Sequence, residues 1–394
     1  MFGNHPHGRI HSMTEVTVRG PFARLGNSLL GALFGVLLFL GSLGLLFWNE
    51  GRDFDAMTAL NAGAESVVSI SPDSVDPANE GRLVHLSGPV AVPGPLQDPV
   101  FRVTATEAIR LDRRVEMYQW QEERETRTET TADGEEIEET TYHYFTDWSE
   151  QPIDSTAFRW EEGHVNPTTP YRSATLDARG SRVGAFAMEP GLLSQIGDFL
   201  PMPPDLAAPV PEGFHWAGER LHSGAPDQPR VGDLRVTFHV VPAQTISVAA
   251  AQSGDWLTAF TGERGYPINL VETGVHSADA MFARARTDER NQTWMLRALG
   301  FGMMLLGLLM LGSPVLWLGS VSSGSEGAVA GIWLWLALCV SVPLTILTIA
   351  VAWLVHRPLA GAGLIAAGVL LALAFRWLLS GRGVGGPAVS GARP

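Results

Sequence analysis

Histidines and carboxylates are the residues of this chain able to hold a metal or move a proton, and their spacing decides whether they do. His5, His7 and His11 stand close enough to chelate a metal weakly. They precede Met13, an alternative start, in a tail expected to lack structure. His85, His143, His164, His215, His222, His239 and His276 are scattered singly, without ligand spacing, and read as surface or packing residues. Glu122, Glu123, Glu125, Glu129, Glu135, Glu136, Glu138 and Glu139 could attract calcium or a basic partner. A calcium loop needs Asp or Asn at alternate positions and Gly at its turn, and only Asp133-Gly134 echoes that. The glutamates are therefore read as a solvated, self-repelling hairpin tip. There is no Gly-x-Ser-x-Gly elbow, His-Glu-x-x-His, Walker loop or cysteine pair. The expectation is a non-enzymatic chain with no catalytic residue, cofactor or metal.

The elements that carry these residues follow from hydropathy. The chain has 394 residues, 45% hydrophobic and 17% charged, and its apolar runs lie near the two ends. A helix needs about 20 apolar residues to cross a bilayer. Residues 29–48 form one such run, closed by Trp48 and the polar Asn49, Glu50 and Arg52, as at a membrane interface. It is too long for a signal-peptide core and lacks a small-residue cleavage site, so it reads as a retained anchor. Three further spans are expected at 294–320, 328–355 and 359–379, joined by short loops, with tails at 1–28 and 380–394. Pro343 predicts a kink in the third, where Thr345 and Thr348 could satisfy freed carbonyls. Arg297 and Arg376 lie about one turn inside their spans and are expected to snorkel to headgroups.

Charge orients the chain. All 27 basic residues are Arg, and Arg flanks both ends of the span set, which predicts cytoplasmic termini and places residues 49–293 on the opposite side. That segment holds 39 acidic residues against 19 arginines and would repel nucleic acid and anionic lipid. The single cysteine, Cys339, falls in a span, so the soluble domain folds without disulfides. Arginine without lysine, with abundant Ala, Gly and Pro, points to a GC-rich bacterial genome, a cytoplasmic membrane and a periplasmic domain.

Inside that domain strand signals dominate. Alternation over 115–122 and 142–148, bracketing Asp133-Gly134, predicts a long hairpin, with more strands at 82–86, 101–106, 233–241 and 245–250. Helices are expected at 190–199 and 256–260, and one starting at Ser277 that runs into the second span, with Met281, Phe282, Ala285 and Thr293 along the membrane surface. The fold class is thus a four-span α-helical membrane protein with a β-rich α+β domain between spans one and two. The tetrapeptide Asn-Glu-Gly-Arg occurs at 49–52 and at 79–82. Gly51 and Gly81 are both read as relieving tight turns.

Phe47-Trp48-Asn49-Glu50-Gly51-Arg52, Ser71-Pro72-Asp73-Ser74, Asn79 to His85, Val115 to Trp120, Val231 to Val236 and Ala352 to Pro358, in that order, resemble the family of transmembrane protein forty-three, also called LUMA. The resemblance implies a multi-pass protein with cytoplasmic ends and a large lumenal-type loop. Its animal members sit in the endoplasmic reticulum and inner nuclear membrane, self-associate and organise membrane-protein complexes. Two departures stand out, a His-bearing rather than Lys-rich tail and Pro343. The expected function is a self-associating scaffold in a lipid bilayer, with other membrane proteins as partners and no nucleic acid. An oligomeric channel or lipid conduit and a periplasmic hydrolase are the alternatives. Small residues let helices approach in lipid, and Gly361, Gly363 and Gly368 of the fourth span are the expected packing surface, with Gly300, Gly302 and Gly307 in the second.

Overall fold

The computed structural model describes the chain apart from residues 1–10, 20, 132–134, 205–208, 263, 315–325 and, save Gly363, 359–394. It divides into two compact units, one of residues 1–23 and 59–286, the other of residues 24–58 and 287–394.

The second unit is built on three long helices, α1 (Pro21–Ser66), α2 (Ala278–Leu311) and α3 (Glu326–His356). Pro21 suits the first helical position, where its missing N–H has no partner to lose. All three are long and apolar enough to cross a membrane, and only 17%, 17% and 22% of their most apolar windows is buried. Faces such as Leu30, Leu33 and Leu37 of α1 and Ile332 and Trp335 of α3 are exposed. A soluble protein rarely exposes that much contiguous apolar surface, whereas a bilayer solvates it. The expected fourth span lies outside the described residues save for Gly363.

Helices α1 and α2 meet backbone to backbone. A Cβ on Gly35 would come within 2.7 Å of the Gly307 carbonyl oxygen, and one on Gly307 within 2.8 Å of the Gly35 oxygen. Lipid offers no hydrophobic drive between helices, so such close approach supplies the attraction. Gly300 likewise receives the buried Leu46 side chain, while nothing described lies within 4 Å of a Cβ on Gly302. Pro343 sits inside α3 without ending it. Thr345 Oγ1 reaches Met304 Sδ at 3.4 Å, and Thr348 Oγ1 donates to the Leu344 carbonyl at 2.8 Å.

The first unit is β-rich. Its hairpin pairs β3 (Ala108–Thr130) with β4 (Glu136–Ser149), longer than alternation alone marks; Asp133-Gly134 lies outside the described residues. One sheet runs from β1 (His11–Arg19) through β4, β3 and β5 (Leu234–Pro242) to Arg220–His222 and His215–Ala217. A second sheet pairs β2 (Leu83–Ala91) with β6 (Thr245–Ser253) and with Arg182–Val183, and continues through Phe186–Met188 and Trp256–Thr258 back to β6. That sheet closes on itself around Leu86, Val183, Phe186, Met188, Val248 and Leu257, all at most 1% exposed. Closure leaves only the short strands Val68–Ser69 and Leu270–Thr273 of this sheet paired on one side.

Several expectations are corrected here. Residues 256–260 form strands rather than a helix, because Trp256 and Leu257 pair with Ala187 and Met188. The helix expected over 190–199 is one turn, Pro190–Leu193, and 101–106 contributes only the two-residue strand Thr104–Ala105. Ser277 does start a helix, its hydroxyl accepting the Ala280 N–H at 3.3 Å, and that helix continues into the second apolar run. Met281 and Phe282, however, are fully buried with Leu60, Leu83 and Ile268 in the domain core rather than lying on a membrane surface. Burial of such side chains contributes about 1.5–3 kcal/mol each.

The N-terminal tail is the largest departure. Residues 11–19, expected to lack structure, are a strand paired antiparallel with β4 from His11↔Tyr144 to Arg19↔Glu136. Pairing puts tail and domain in one compartment. For a single chain it is therefore an alternative to a crossing of residues 29–48 that would separate the two.

Candidate functional site

The densest polar grouping of the second unit sits where the apolar run of α1 ends. Glu50 and Asp53 lie three residues apart on α1, Thr293 and Arg297 four apart on α2, and Trp353 and Arg357 four apart at the end of α3. These spacings give each pair one helical face. Arg297 donates Nε and Nη2 to the two Glu50 carboxylate oxygens at 2.7 and 2.8 Å, and Trp353 Nε1 donates to the same carboxylate at 2.6 Å. Asp53 accepts Thr293 Oγ1 at 3.0 Å and Arg357 Nη2 at 2.7 Å. Arg52 donates to Glu289 at 2.6 Å, and Asn49 Nδ2 donates to the Thr293 carbonyl at 3.2 Å.

Three carboxylates thus face three arginines, and the Glu50 side chain is only 1% exposed. Burying a lone charge costs several kcal/mol, and a bidentate pair with a third donor offsets it. Gly51 lets the His356 ring approach: a Cβ there would lie 2.9 Å from its Cε1 and Nε2. Two readings are corrected. Gly51 is a mid-helix contact and not a turn, and Arg297 turns inward to Glu50 instead of snorkelling. The spacing of acids and bases at the ends of three apolar runs was the signal available in the sequence for this cluster.

In the first unit, Tyr144 of β4 is fully buried and donates its hydroxyl to Glu122 Oε2 at 2.5 Å. Burial, then that hydrogen bond, push its phenol up to about 12. Its ring stacks on His164 with centroids 4.0 Å apart. His164 Nδ1 donates to the Trp160 carbonyl at 3.0 Å, which leaves Nε2 as an acceptor, buried and without a partner among the described residues. On β2, His85 Nε2 donates to the His276 carbonyl at 2.9 Å and its Nδ1 accepts from Ser69 Oγ at 3.2 Å. Burial lowers its pKa, holding the ring neutral.

Among the described residues no group of three or more His, Cys, Asp or Glu is arranged to hold a metal ion. Of the expected packing glycines, Gly361 and Gly368 lie outside the described residues, and a Cβ on Gly363 would meet nothing described within 4 Å.

Apolar helices flanking a large β-rich region, with charges clasped where α1 leaves its apolar run, define an integral membrane protein carrying a β-rich domain between its first and second described helices. The chain belongs to the Transmembrane protein 43 family, whose match covers residues 117–358. It is 36% identical over 363 residues to Transmembrane protein 43 of Homo sapiens, covering 86% of this chain and 88% of the human protein. It is 32% identical over 353 residues to the Transmembrane protein 43 homolog of Drosophila melanogaster, covering 86% and 92%. No solved structure matches it.

Proposed function

We propose that this chain is a non-enzymatic, self-associating scaffold for membrane-protein complexes in a bacterial cytoplasmic membrane. In its inserted form residues 29–48, 294–320, 328–355 and 359–379 cross, both ends are cytoplasmic and the acidic domain lies outside. The observation that carries this reading is the charge-neutral clasp. Each of its three carboxylates is paired with an arginine, which suits a rigid frame better than a proton or ion path, where a carboxylate must be left to exchange. Apolar faces exposed on all three described helices leave room for further helices, and the small residues Gly361, Gly363 and Gly368 of the sequence are the positions assigned to a second packing surface.

The test is mild-detergent capture of the tagged chain with quantitative mass spectrometry and blue-native electrophoresis. A scaffold migrates as a defined assembly with reproducible membrane-protein partners. A triple Leu variant at the three glycines should insert yet lose that size. Migration of the wild type as a partnerless monomer would sink the reading.

A further inference from the structure

We propose that the outer edge of β4 is a strand-acceptor site for an extended segment of an extracytoplasmic partner, a site that β1 fills only while tail and domain share a compartment. The inference rests on the crossing of residues 29–48 proposed above, because that crossing withdraws β1 and leaves the edge of a long sheet unpaired. Such an edge presents a row of N–H and C=O groups that bind an added strand through its backbone.

The seated β1 reports the chemistry the site accepts. It pairs in register over nine residues, with Thr14 Oγ1 3.1 Å from Thr141 Oγ1. Glu15 takes a bidentate contact from Arg159, at 2.9 and 2.8 Å, that holds its carboxyl below the usual range. At the other end the His11 ring lies 6.0 Å from Trp120 and 5.7 Å from His164.

Two features mark β1 as a displaceable occupant. From His11 to Val18 every residue except Glu15 is exposed, Val16 by 60% and Val18 by 58%, so little apolar area is lost when the strand leaves. Among the described residues the buried Nε2 of His164 also remains without a donor although His11 sits beside it, and an unsatisfied buried acceptor is costly. The fitting partner is an extended Thr/Val-type segment with a carboxylate for Arg159, a hydrogen-bond donor reaching His164 and a basic residue at the register position opposite Glu136.

The probe is a fluorescent nonapeptide of the His11–Arg19 sequence, added to proteoliposomes of the full chain with the domain outward. A Thr14→Cys/Thr141→Cys pair in a Cys339→Ala background reports whether the chain's own tail is docked. The expected result is saturable peptide binding with little disulfide. Arg159→Glu should weaken binding about two- to fivefold, the scale of an exposed ion pair, and a peptide with Arg at the Glu15 position should restore it, which misfolding would not allow. No peptide binding together with no disulfide overturns the acceptor site and leaves the crossing standing. A complete disulfide in the liposomes overturns the crossing itself.

Discussion

The tetrapeptide Asn-Glu-Gly-Arg occurs twice and adopts two unrelated structures. At 49–52 it lies within α1, where Glu50 meets Arg297 and Gly51 admits His356. At 79–82 it ends a short 3-10 turn capped by Asp76 and leads into β2. There Gly81 is left-handed, φ +72°, and donates to the Gln252 carbonyl at 2.8 Å, while Glu80 accepts the Gly254 N–H at 2.8 Å. In the first copy each residue contacts another helix. In the second, Asn79 closes a turn and Glu80 and Gly81 tie its end to β6. The difference lies in what precedes them, an uninterrupted apolar helix in one case and Asp76-Pro77 in the other, because a helix already formed propagates cheaply through four more residues.

The largest expected effect separates the two glutamates. Glu50→Ala leaves the Arg297 guanidinium and the Trp353 indole N–H unpaired and should cost about 3–5 kcal/mol, read as a fall in the unfolding midpoint of the purified chain in detergent. Glu80→Ala removes one exposed backbone hydrogen bond and should cost about 1 kcal/mol or less. Equal losses would erase the distinction. The glycines come next. Gly51→Ala should cost about 1–3 kcal/mol by overpacking against His356, and a His356→Ala change should recover much of it. Gly81→Ala should cost about 1–2 kcal/mol for backbone reasons, and Gly81→Asn less, since Asn tolerates that region. Recovery of Gly81→Ala by trimming a neighbour would contradict the backbone account.

A smaller effect is expected from pH. His85 is neutral in the folded chain and its pKa lies below the ordinary 6.5. Its contribution to stability is therefore complete above about pH 6.5 and is lost as pH falls through the lowered value, where the unfolded chain takes up the proton first. The unfolding temperature should drop as pH falls from about 6.5 toward the lowered value, and less so in His85→Gln. His222, lowered chiefly by burial, adds to the same trend. An identical pH profile for His85→Gln would remove His85 from the account.

Much of the fold was legible because its signals are local. The apolar runs, the long hairpin and the helix starting at Ser277 rest on periodicity and capping, which neighbouring residues decide. Trp256 to Phe260 reads as a helix in the sequence yet forms strands, because a few residues with mixed pattern follow whichever strand pairs with them. Met281 and Phe282 read in the sequence as membrane-surface residues because an apolar face does not say what it packs against. The clasp was half visible: its residues stood in the sequence as flanks of apolar runs, and only their partners were missing.

By itself, the sequence determined that this is a membrane chain with an acidic, disulfide-free, β-rich insert, since hydropathy, charge and cysteine count add up along the chain whatever its fold. The tertiary structure alone decided which charges answer one another, that Gly51 is a contact while Gly81 is a turn, and that residues 11–19 form a strand on β4. Pairing of that kind joins residues far apart in sequence, and its energy depends on burial and geometry, which exist only once the helices and sheets have assembled.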